Sequence, residues 1–228
     1  MFTSTKDIPP KIQYLIKFVS QKAHANALLN GDLFMHSAEY YHHFETEGQG
    51  DKGEASIFSG ICIYQGAEYP IYCMSIVYLD DIKYNQIPIN NRIISDFHCK
   101  NGYAVVINYS LFQQKIQSLE TYGAPHFEHP IEYGNPTFTL SAKWFKSRSL
   151  ANIFVKRTYF KYQKEYRIVV CNPLPPRIEK GVFEGTEVDF AYCDTSRTYH
   201  IPGGLHDCAT IYSIANLQSD LDNSYITL

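Results

Sequence analysis

Three polar side chains recur at every second position late in the chain: Gln163, Glu165 and Arg167. The surrounding segment YQKEYRIVV, from Tyr162 to Val170, alternates in the way that is typical of a β-strand, and this alternation puts the three side chains on one face. Same-face neighbours on a strand lie about 6.5 to 7 Å apart. Gln163 and Glu165 are therefore predicted to bind one small ligand together, with Glu165 as the functional acid.

The same spacing has a purely structural interpretation, an ion pair between Glu165 and Arg167. Charged strand faces are common where one side of an antiparallel sheet meets solvent. An exposed pair of this kind contributes under about 1 kcal/mol to stability. Spacing alone favours the ion pair, so a catalytic role for Glu165 needs support from the rest of the chain.

The second polar group is the sequence GDKGE, which contains Asp51 and Glu54. It belongs to a glycine-rich stretch from Glu45 onward that is typical of a loop, and loops often carry function. Acidic residues three apart cap turns by default, but they also bind a cation or accept hydrogen bonds from ribose hydroxyls. If Glu54 instead begins the next strand, its carboxylate needs a cationic partner such as Lys17 or Arg167.

The six cysteines and nine histidines form no recognisable metal motif. No CxxC occurs, and zinc sites need paired ligands at tight spacing. We therefore predict no metal site and expect the cysteines to be buried free thiols. The absence of GxGxxG and Walker sequences disfavours a Rossmann or P-loop enzyme.

The elements that position these groups begin with a strand, a helix and a second strand. The segment IQYLIKFV, from Ile12 to Val19, alternates, which puts Lys17 on a strand. Helix formers follow in QKAHANALLN, and Gly31 stands where a helix-terminating glycine is expected. The segment DLFMHS predicts the second strand, and the cluster AEYYHHFE after it contains Tyr40 and Tyr41.

Later segments predict further strands, namely ASIFSGICIY, YPIYCMSIVYL and YAVVINY. The stretch from Tyr122 to Pro136 is turn-rich and holds Pro125 and Pro130 in its interior, which predicts a long surface connection. The stretch from Thr139 to Arg157 has mixed periodicity, and its boundaries stay open. Many strands with few helices predict an α+β fold with an antiparallel-rich sheet. A length of 228 residues without a linker predicts a single domain over residues 1–228.

Charge and hydropathy narrow the class of partners. The formal net charge of -3 does not favour non-specific binding to nucleic acid or to a membrane surface. The beginning MFTSTKDIPP lacks the apolar stretch of a signal peptide, and no later run approaches the roughly 20 apolar residues that cross a bilayer. We expect a cytoplasmic protein with no membrane partner.

Taken in order, four segments resemble a bacterial and phage group of proteins of unknown function: YLIKF, NGDLFMHSAEYY, GDKGE and YQKEYR. This layout is in turn similar to the ADP-ribosyltransferase superfamily, whose members carry a catalytic Glu in a Q/E-x-E strand. Gln163, Lys164 and Glu165 fit the Q-x-E form. The resemblance implies a split, antiparallel-rich sheet with a few short helices, and NAD as the cofactor. It also implies transfer to a macromolecular acceptor, protein or nucleic acid, in a toxin, phage-defence or counter-defence role.

The resemblance also implies roles for individual residues. Glu165 would hydrogen-bond the nicotinamide ribose and stabilise an oxocarbenium-like transition state as nicotinamide leaves, while Gln163 would position the acceptor. Lys17 would lie near the NAD phosphates or ribose, and Tyr40 or Tyr41 would stack on the nicotinamide. Three more residues complete the implied cofactor-binding set: Asp51, Glu54 and Arg167.

Two other functions fit the same residues. In a metal-dependent nuclease or phosphodiesterase, the carboxylates of Asp51, Glu54 and Glu165 would converge on Mg²⁺ beside a lysine. In a non-catalytic module, the tyrosine-rich loops would recognise a nucleotide or a protein, and Glu165 would pair with Arg167 as part of the scaffold.

Overall fold

The computed structural model describes residues 11–43, 56–59, 61–64, 68–134, 152–192 and 195–228. Within these ranges the strands are β1 (Ile12–Val19), β2 (Asp32–Ser37), β3 (Ser56–Ser59), β4 (Ile61–Tyr64), β5 (Pro70–Tyr78), β6 (Gln86–Asn90), β7 (Tyr103–Asn108), β8 (His126–Pro130), β9 (Glu132–Gly134), β10 (Val155–Arg157), β11 (Glu165–Val170), β12 (Arg177–Phe183), β13 (Thr186–Tyr192), β14 (Ser196–His200), β15 (Ala209–Ser213), β16 (Gln218–Ser219) and β17 (Asn223–Thr227). The α-helices are α1 (Lys22–Leu29), α2 (Ala38–His43), α3 (Asn91–Asp96), α4 (Tyr109–Ile116) and α5 (Ser118–Thr121). Short 3-10 helices cover Leu79–Asp81, Asn152–Phe154, Thr158–Gln163 and Ile214–Asn216.

Eight strands form the main sheet, and all of its pairs are antiparallel. One edge of β5 pairs with two strands at different heights: Ile16 of β1 lies opposite Ser75, and His36 of β2 lies opposite Ile71. The other edge of β5 pairs with β11, which pairs with β8. Beyond β1 the sheet continues to β7 and β15, whereas β2 leads to β14. The sheet therefore splits along β5, between β1 and β2.

Lys17 lies at this split. In the described part of the chain, the β5 residues between the two pairings have no strand beside them on that edge. The Lys17 ammonium donates a hydrogen bond to the carbonyl oxygen of Cys73 at 2.9 Å and lies 4.3 Å from the centroid of the Tyr72 ring. A backbone carbonyl away from water needs a donor. Lys17 donates the hydrogen bond to Cys73 that a neighbouring strand would otherwise donate.

Helices α1 and α4 cover one face of the main sheet. Leu28 of α1 and Phe112 of α4 belong to the same buried cluster as Tyr166 of β11. Since side chains alternate along a strand, the neighbours of Tyr166 on β11 point to the opposite face. Glu165 and Arg167 are buried on that face, so β11 separates the apolar core from a polar cluster.

Several predictions about the fold are confirmed. The protein is a strand-rich α+β structure with antiparallel sheets and short helices. The opening order of strand, helix and strand is as predicted, and Gly31 follows α1 with φ +99 in the left-handed region. The four cysteines whose side chains are described are free thiols as predicted, but only Cys99 and Cys208 among them are buried, and Cys73 and Cys171 are half-buried. Within the described residues, none of the helices has the length and apolarity needed to span a bilayer.

Two predictions about the fold are wrong. The strand predicted from Tyr162 begins only at Glu165, because the preceding residues form a 3-10 helix and Lys164 takes a left-handed conformation with φ 43. The surface connection predicted from Tyr122 to Pro136 contains β8, which pairs with β11. A proline is tolerated there because β8 is an edge strand of the sheet and Pro130 is its last residue.

Candidate functional site

A cavity of about 240 Å³ opens beside the split in the sheet. Its walls come from β1, β2, α2, β5, β10 and β11, with the 3-10 helix before β11. Six of the residues predicted from the sequence to form a site line this one cavity: Lys17, Tyr40, Tyr41, Gln163, Glu165 and Arg167. The other two, Asp51 and Glu54, lie outside the described residues.

Glu165 lies in the cavity wall between two cations. Its Oε2 accepts a hydrogen bond from Lys156 Nζ at 3.0 Å, and its Oε1 accepts one from Arg167 Nε. The side chains of Glu165, Lys156 and Arg167 are only 7, 6 and 1% exposed. The Glu165 backbone N–H donates to the Tyr133 hydroxyl at 2.7 Å. Both carboxylate oxygens are therefore held, and the side chain has a fixed orientation.

The two cations also fix the charge of Glu165. Burial alone would raise the pKa of this carboxyl, but the charges of Arg167 and Lys156, with hydrogen bonds from Arg167 and Cys73, lower its pKa well below its ordinary range. Glu165 is therefore ionised at any physiological pH. Burial, reinforced by the Glu165 charge, raises the pKa of the neighbouring Cys73 to about 12. Cys73 is thus a neutral thiol and a poor nucleophile.

Gln163 reaches this cluster from a different element than predicted. It is the last residue of the 3-10 helix, and left-handed Lys164 separates it from β11. Its Oε1 accepts a hydrogen bond from Lys156 Nζ at 3.0 Å. Gln163 and Glu165 therefore meet at one lysine, although they do not share a strand face.

The cavity carries an excess of positive charge. Among the described residues that line it, Lys17, Lys156 and Arg167 are cationic and Glu165 is the one carboxylate. Burial lowers the pKa of Lys17, while the nearby Cys73 and Glu165 act in the opposite direction. Positive charge in a cleft with low-dielectric walls concentrates anions there. The charge balance therefore favours an anionic ligand.

Aromatic rings from β2 and α2 form another part of the wall. Ser37 accepts a hydrogen bond from the Tyr40 N–H at 3.3 Å and so starts α2 directly after β2. The His36 and Tyr40 rings stack with centroids 3.7 Å apart and 8° between their planes, and Tyr41 meets both edge-on. Burial and the charge of Lys17 lower the pKa of His36, so its imidazole is neutral at pH 7. Flat aromatic walls favour a ligand with a planar ring.

The cleft continues beyond this cavity. A second cavity of about 230 Å³ shares Phe18, Ser75 and Gln163 with the first, so Gln163 stands at the boundary between the two. Pockets for drug-sized ligands usually measure roughly 300 to 1,000 Å³. The two cavities together, and not the first alone, have the size for a ligand with several rings.

Lys156 and His36 are among the cavity residues that were not predicted from the sequence. Lys156 lies in the stretch from Thr139 to Arg157, for which the sequence predicts no element boundaries. Its immediate sequence neighbours do not indicate that it is buried. His36 is part of the predicted second strand. Its closeness in sequence to Tyr40 was a signal that both line the same site, because α2 follows the strand directly.

Metal binding gains no support from the described residues. They contain no group of three or more His, Cys, Asp or Glu that could hold a metal ion. Glu165 is already neutralised by two cations, which weakens it as a ligand for Mg²⁺. The nuclease hypothesis would therefore depend on Asp51 and Glu54, which lie outside the described ranges.

Comparisons with known proteins gave no match. A scan against protein-family models gave no match, and searches of curated proteins and of solved structures gave none either.

Proposed function

We propose that the protein is an ADP-ribosyltransferase-like enzyme whose cleft binds NAD and transfers its ADP-ribose group to a macromolecule. One observation carries this proposal: an ionised, immobilised Glu165 lies in a cavity that combines an excess of positive charge with stacked aromatic rings. NAD has chemical groups that match each of these properties, namely a pyrophosphate, planar bases and a ribose that gains positive charge during transfer.

Lys17 is the cation best suited to the pyrophosphate. Arg167 is nearly inaccessible and donates both to Glu165 and to the Ile153 carbonyl oxygen at 2.5 Å, so it serves chiefly to hold the carboxylate. Lys17 is less buried, and an ammonium can donate in directions other than its bond to Cys73. The rings of Tyr40 and Tyr41 are then the surface on which the nicotinamide stacks.

The transfer step needs a fixed negative charge beside the reacting ribose. The bond between nicotinamide and ribose C1′ breaks, and nicotinamide leaves with the electron pair. The ribose carbon gains positive charge, which the Glu165 carboxylate stabilises, and an acceptor nucleophile then bonds to C1′ and loses its proton to solvent. A carboxylate that is held in place and stays ionised needs no reorganisation when this charge develops.

A second function is favoured by one observation, the engagement of both Glu165 oxygens by buried cations. In a nucleotide-binding module without catalysis, Glu165 would compensate the charges of Lys156 and Arg167 and keep the wall rigid. Such a protein binds NAD or a related nucleotide without breaking it.

Incubation of the purified protein with labelled NAD and a cell lysate separates the two functions. The enzyme is expected to release nicotinamide and to label protein or nucleic acid. The binding module raises its melting temperature with NAD but releases nothing. A protein that shows neither response contradicts both.

Substitutions in the cleft test whether NAD binds and reacts there. Lys17→Gln is expected to weaken NAD binding at least fivefold, because a charge-assisted contact contributes about 1.5 to 3 kcal/mol. Lys22→Gln removes the same charge from the exposed surface of α1 and is the matched control. Glu165→Gln, checked for folding by circular dichroism, should abolish nicotinamide release. Equal affinities in Lys17→Gln and Lys22→Gln would argue against this site.

The biological role belongs to the same proposal. A transferase of this kind acts as a toxin or as a phage-defence or counter-defence factor in the cytoplasm, where NAD is abundant. Expression of the wild type is then expected to slow growth, and expression of folded Glu165→Gln is not. Identical growth curves would argue against a toxic activity.

A further inference from the structure

A continuous chain of hydrogen bonds connects the end of α3 with Glu165. The Tyr162 hydroxyl donates to Asp96 Oδ2, and Gln163 Nε2 donates to the Tyr162 hydroxyl at 3.3 Å. On its other side, Gln163 Oε1 accepts from Lys156 Nζ, which also donates to Glu165. The chain thus begins outside the cavity and ends at the carboxylate in its wall.

The groups at the two ends of this chain of hydrogen bonds determine which atom donates and which accepts at each step. An ionised carboxylate accepts only, so the Tyr162 hydroxyl gives its one hydrogen to Asp96 and accepts from the Gln163 amide. An ammonium donates only, so the carbonyl oxygen of that amide has to face Lys156. Both ends therefore demand the same orientation of the Gln163 side chain.

Arg92 holds the outer end of the chain in place. Its guanidinium lies 4.1 Å from the centroid of the Tyr162 ring and 4.5 Å from that of the Tyr159 ring. It also pairs with Asp96, Nε to Oδ2, at 3.5 Å. The ring of Tyr162 and the carboxylate of Asp96 are thereby fixed relative to each other, which favours their hydrogen bond.

We infer that Asp96 is a positioning residue: through the Tyr162 hydroxyl it sets the orientation of the Gln163 amide at the boundary between the two cavities. A reversed amide would turn its NH₂ group toward the Lys156 ammonium and lose the hydrogen bond there. The effect on ligand binding rests on the proposed function, whereas the orientation itself does not. A ligand that extends from one cavity into the other meets Gln163, so its affinity depends on that orientation.

The test compares two nearly isosteric variants with a control. Tyr162→Phe removes the central hydroxyl and keeps the ring under Arg92, and Asp96→Leu removes the acceptor at the outer end of the chain. Tyr84→Phe deletes a hydroxyl from a ring that is 95% exposed and contacts neither the chain nor Arg92, and it is the control. The side-chain amide resonances of Gln163, assigned by their loss in Gln163→Glu, report the orientation in the ligand-free protein.

Both test variants are expected to move the Gln163 side-chain amide resonances and to weaken NAD binding about five- to tenfold, while Tyr84→Phe changes neither. The double variant should bind no more weakly than either single one, because both break the same chain. Unmoved amide resonances in Tyr162→Phe and Asp96→Leu would overturn the inference, whether or not NAD binds. Shifted resonances in a protein without affinity for NAD would uphold it and reject the proposed function.

Discussion

Two strands of this protein carry the same pair of residue types at the same spacing in opposite surroundings. Glu165 and Arg167 stand two apart on β11, and Arg177 and Glu179 stand two apart on β12. The side chains of the first pair are 7 and 1% exposed, and those of the second are 43 and 54% exposed. Spacing predicts a shared face in both cases, but what lies against that face decides the role of the charges.

The neighbouring strands explain the contrast. β11 lies between β5 and β8 in the main sheet, and the segment with Lys156 covers its polar face. β12 pairs with β13 in a separate two-stranded sheet, and the charged side chains of Arg177 and Glu179 are exposed to solvent. Charges in water are screened, whereas charges inside a low-dielectric wall act strongly on anything that enters the cavity. The β11 pair therefore lines a cavity, whereas the β12 pair lies at the exposed surface.

The largest expected effect is the difference between Glu165→Gln and Glu179→Gln. The first leaves Lys156 and Arg167 buried without a counter-charge and should lower the free energy of unfolding by about 3 to 5 kcal/mol. The second removes one member of an exposed pair and should cost under about 1 kcal/mol. Urea unfolding at pH 7 measures both. Losses of similar size would erase the distinction between the two pairs.

A smaller difference is expected between two lysines that both pair with carboxylates. Lys156→Met removes a buried donor to Glu165 and should cost about 1.5 to 3 kcal/mol, because Arg167 still compensates the carboxylate. Lys164→Met removes a partner of Asp81 that is 46% exposed and should cost under about 1 kcal/mol. The same urea titrations measure the two values. A Lys156→Met protein as stable as Lys164→Met would show that the buried contact contributes little.

The sequence could predict one part of this contrast, the shared face of the two charges, but not the burial of that face. Alternation correctly placed Glu165 and Arg167 on one face, because the strand period is a local property of the backbone. It could not show that Lys156, nine residues earlier, would cover that face. Burial of a lysine depends on its partner, and that partnership arises only when distant segments pack together.

The error at Gln163 has a similar physical origin. The segment before Glu165 alternates like a strand, yet a 3-10 helix and left-handed Lys164 end the alternation just before the ladder begins. The chain turns there because Tyr162 bonds to Asp96 and Lys164 bonds to Asp81. These are tertiary contacts with α3 and with the turn after β5, and no local pattern reports them.

The smallest expected effect lies in the pH dependence of stability, where Glu165 can be compared with Glu128 on neighbouring β8. Burial raises the pKa of Glu128, against a hydrogen bond from Tyr166, and Gln113 donates to its Oε1 at 2.6 Å. No cation was found beside it in the described residues. The two carboxyl groups are thus buried with opposite shifts of pKa.

Opposite shifts predict opposite pH profiles. The contribution of Glu165 to stability is present above the ordinary glutamate pKa of about 4.3 and is lost only as the pH falls through its lowered pKa. The contribution of Glu128 is present below that ordinary pKa and is lost as the pH rises through its raised pKa. Unfolding free energies between pH 3 and pH 7 should therefore show Glu128→Gln gaining on the wild type as the pH rises. A gap between these two proteins that does not change with pH would contradict the assignment.

If the polar face of β11 belongs to a nucleotide cleft, crystals of the protein soaked with NAD should hold the ligand there. Density for the ligand is expected in the cavity beside the split, with its pyrophosphate near Lys17, its nicotinamide against Tyr40 or Tyr41, and its ribose beside Glu165. A well-ordered crystal with this cavity free of ligand, or with NAD bound elsewhere, would contradict it.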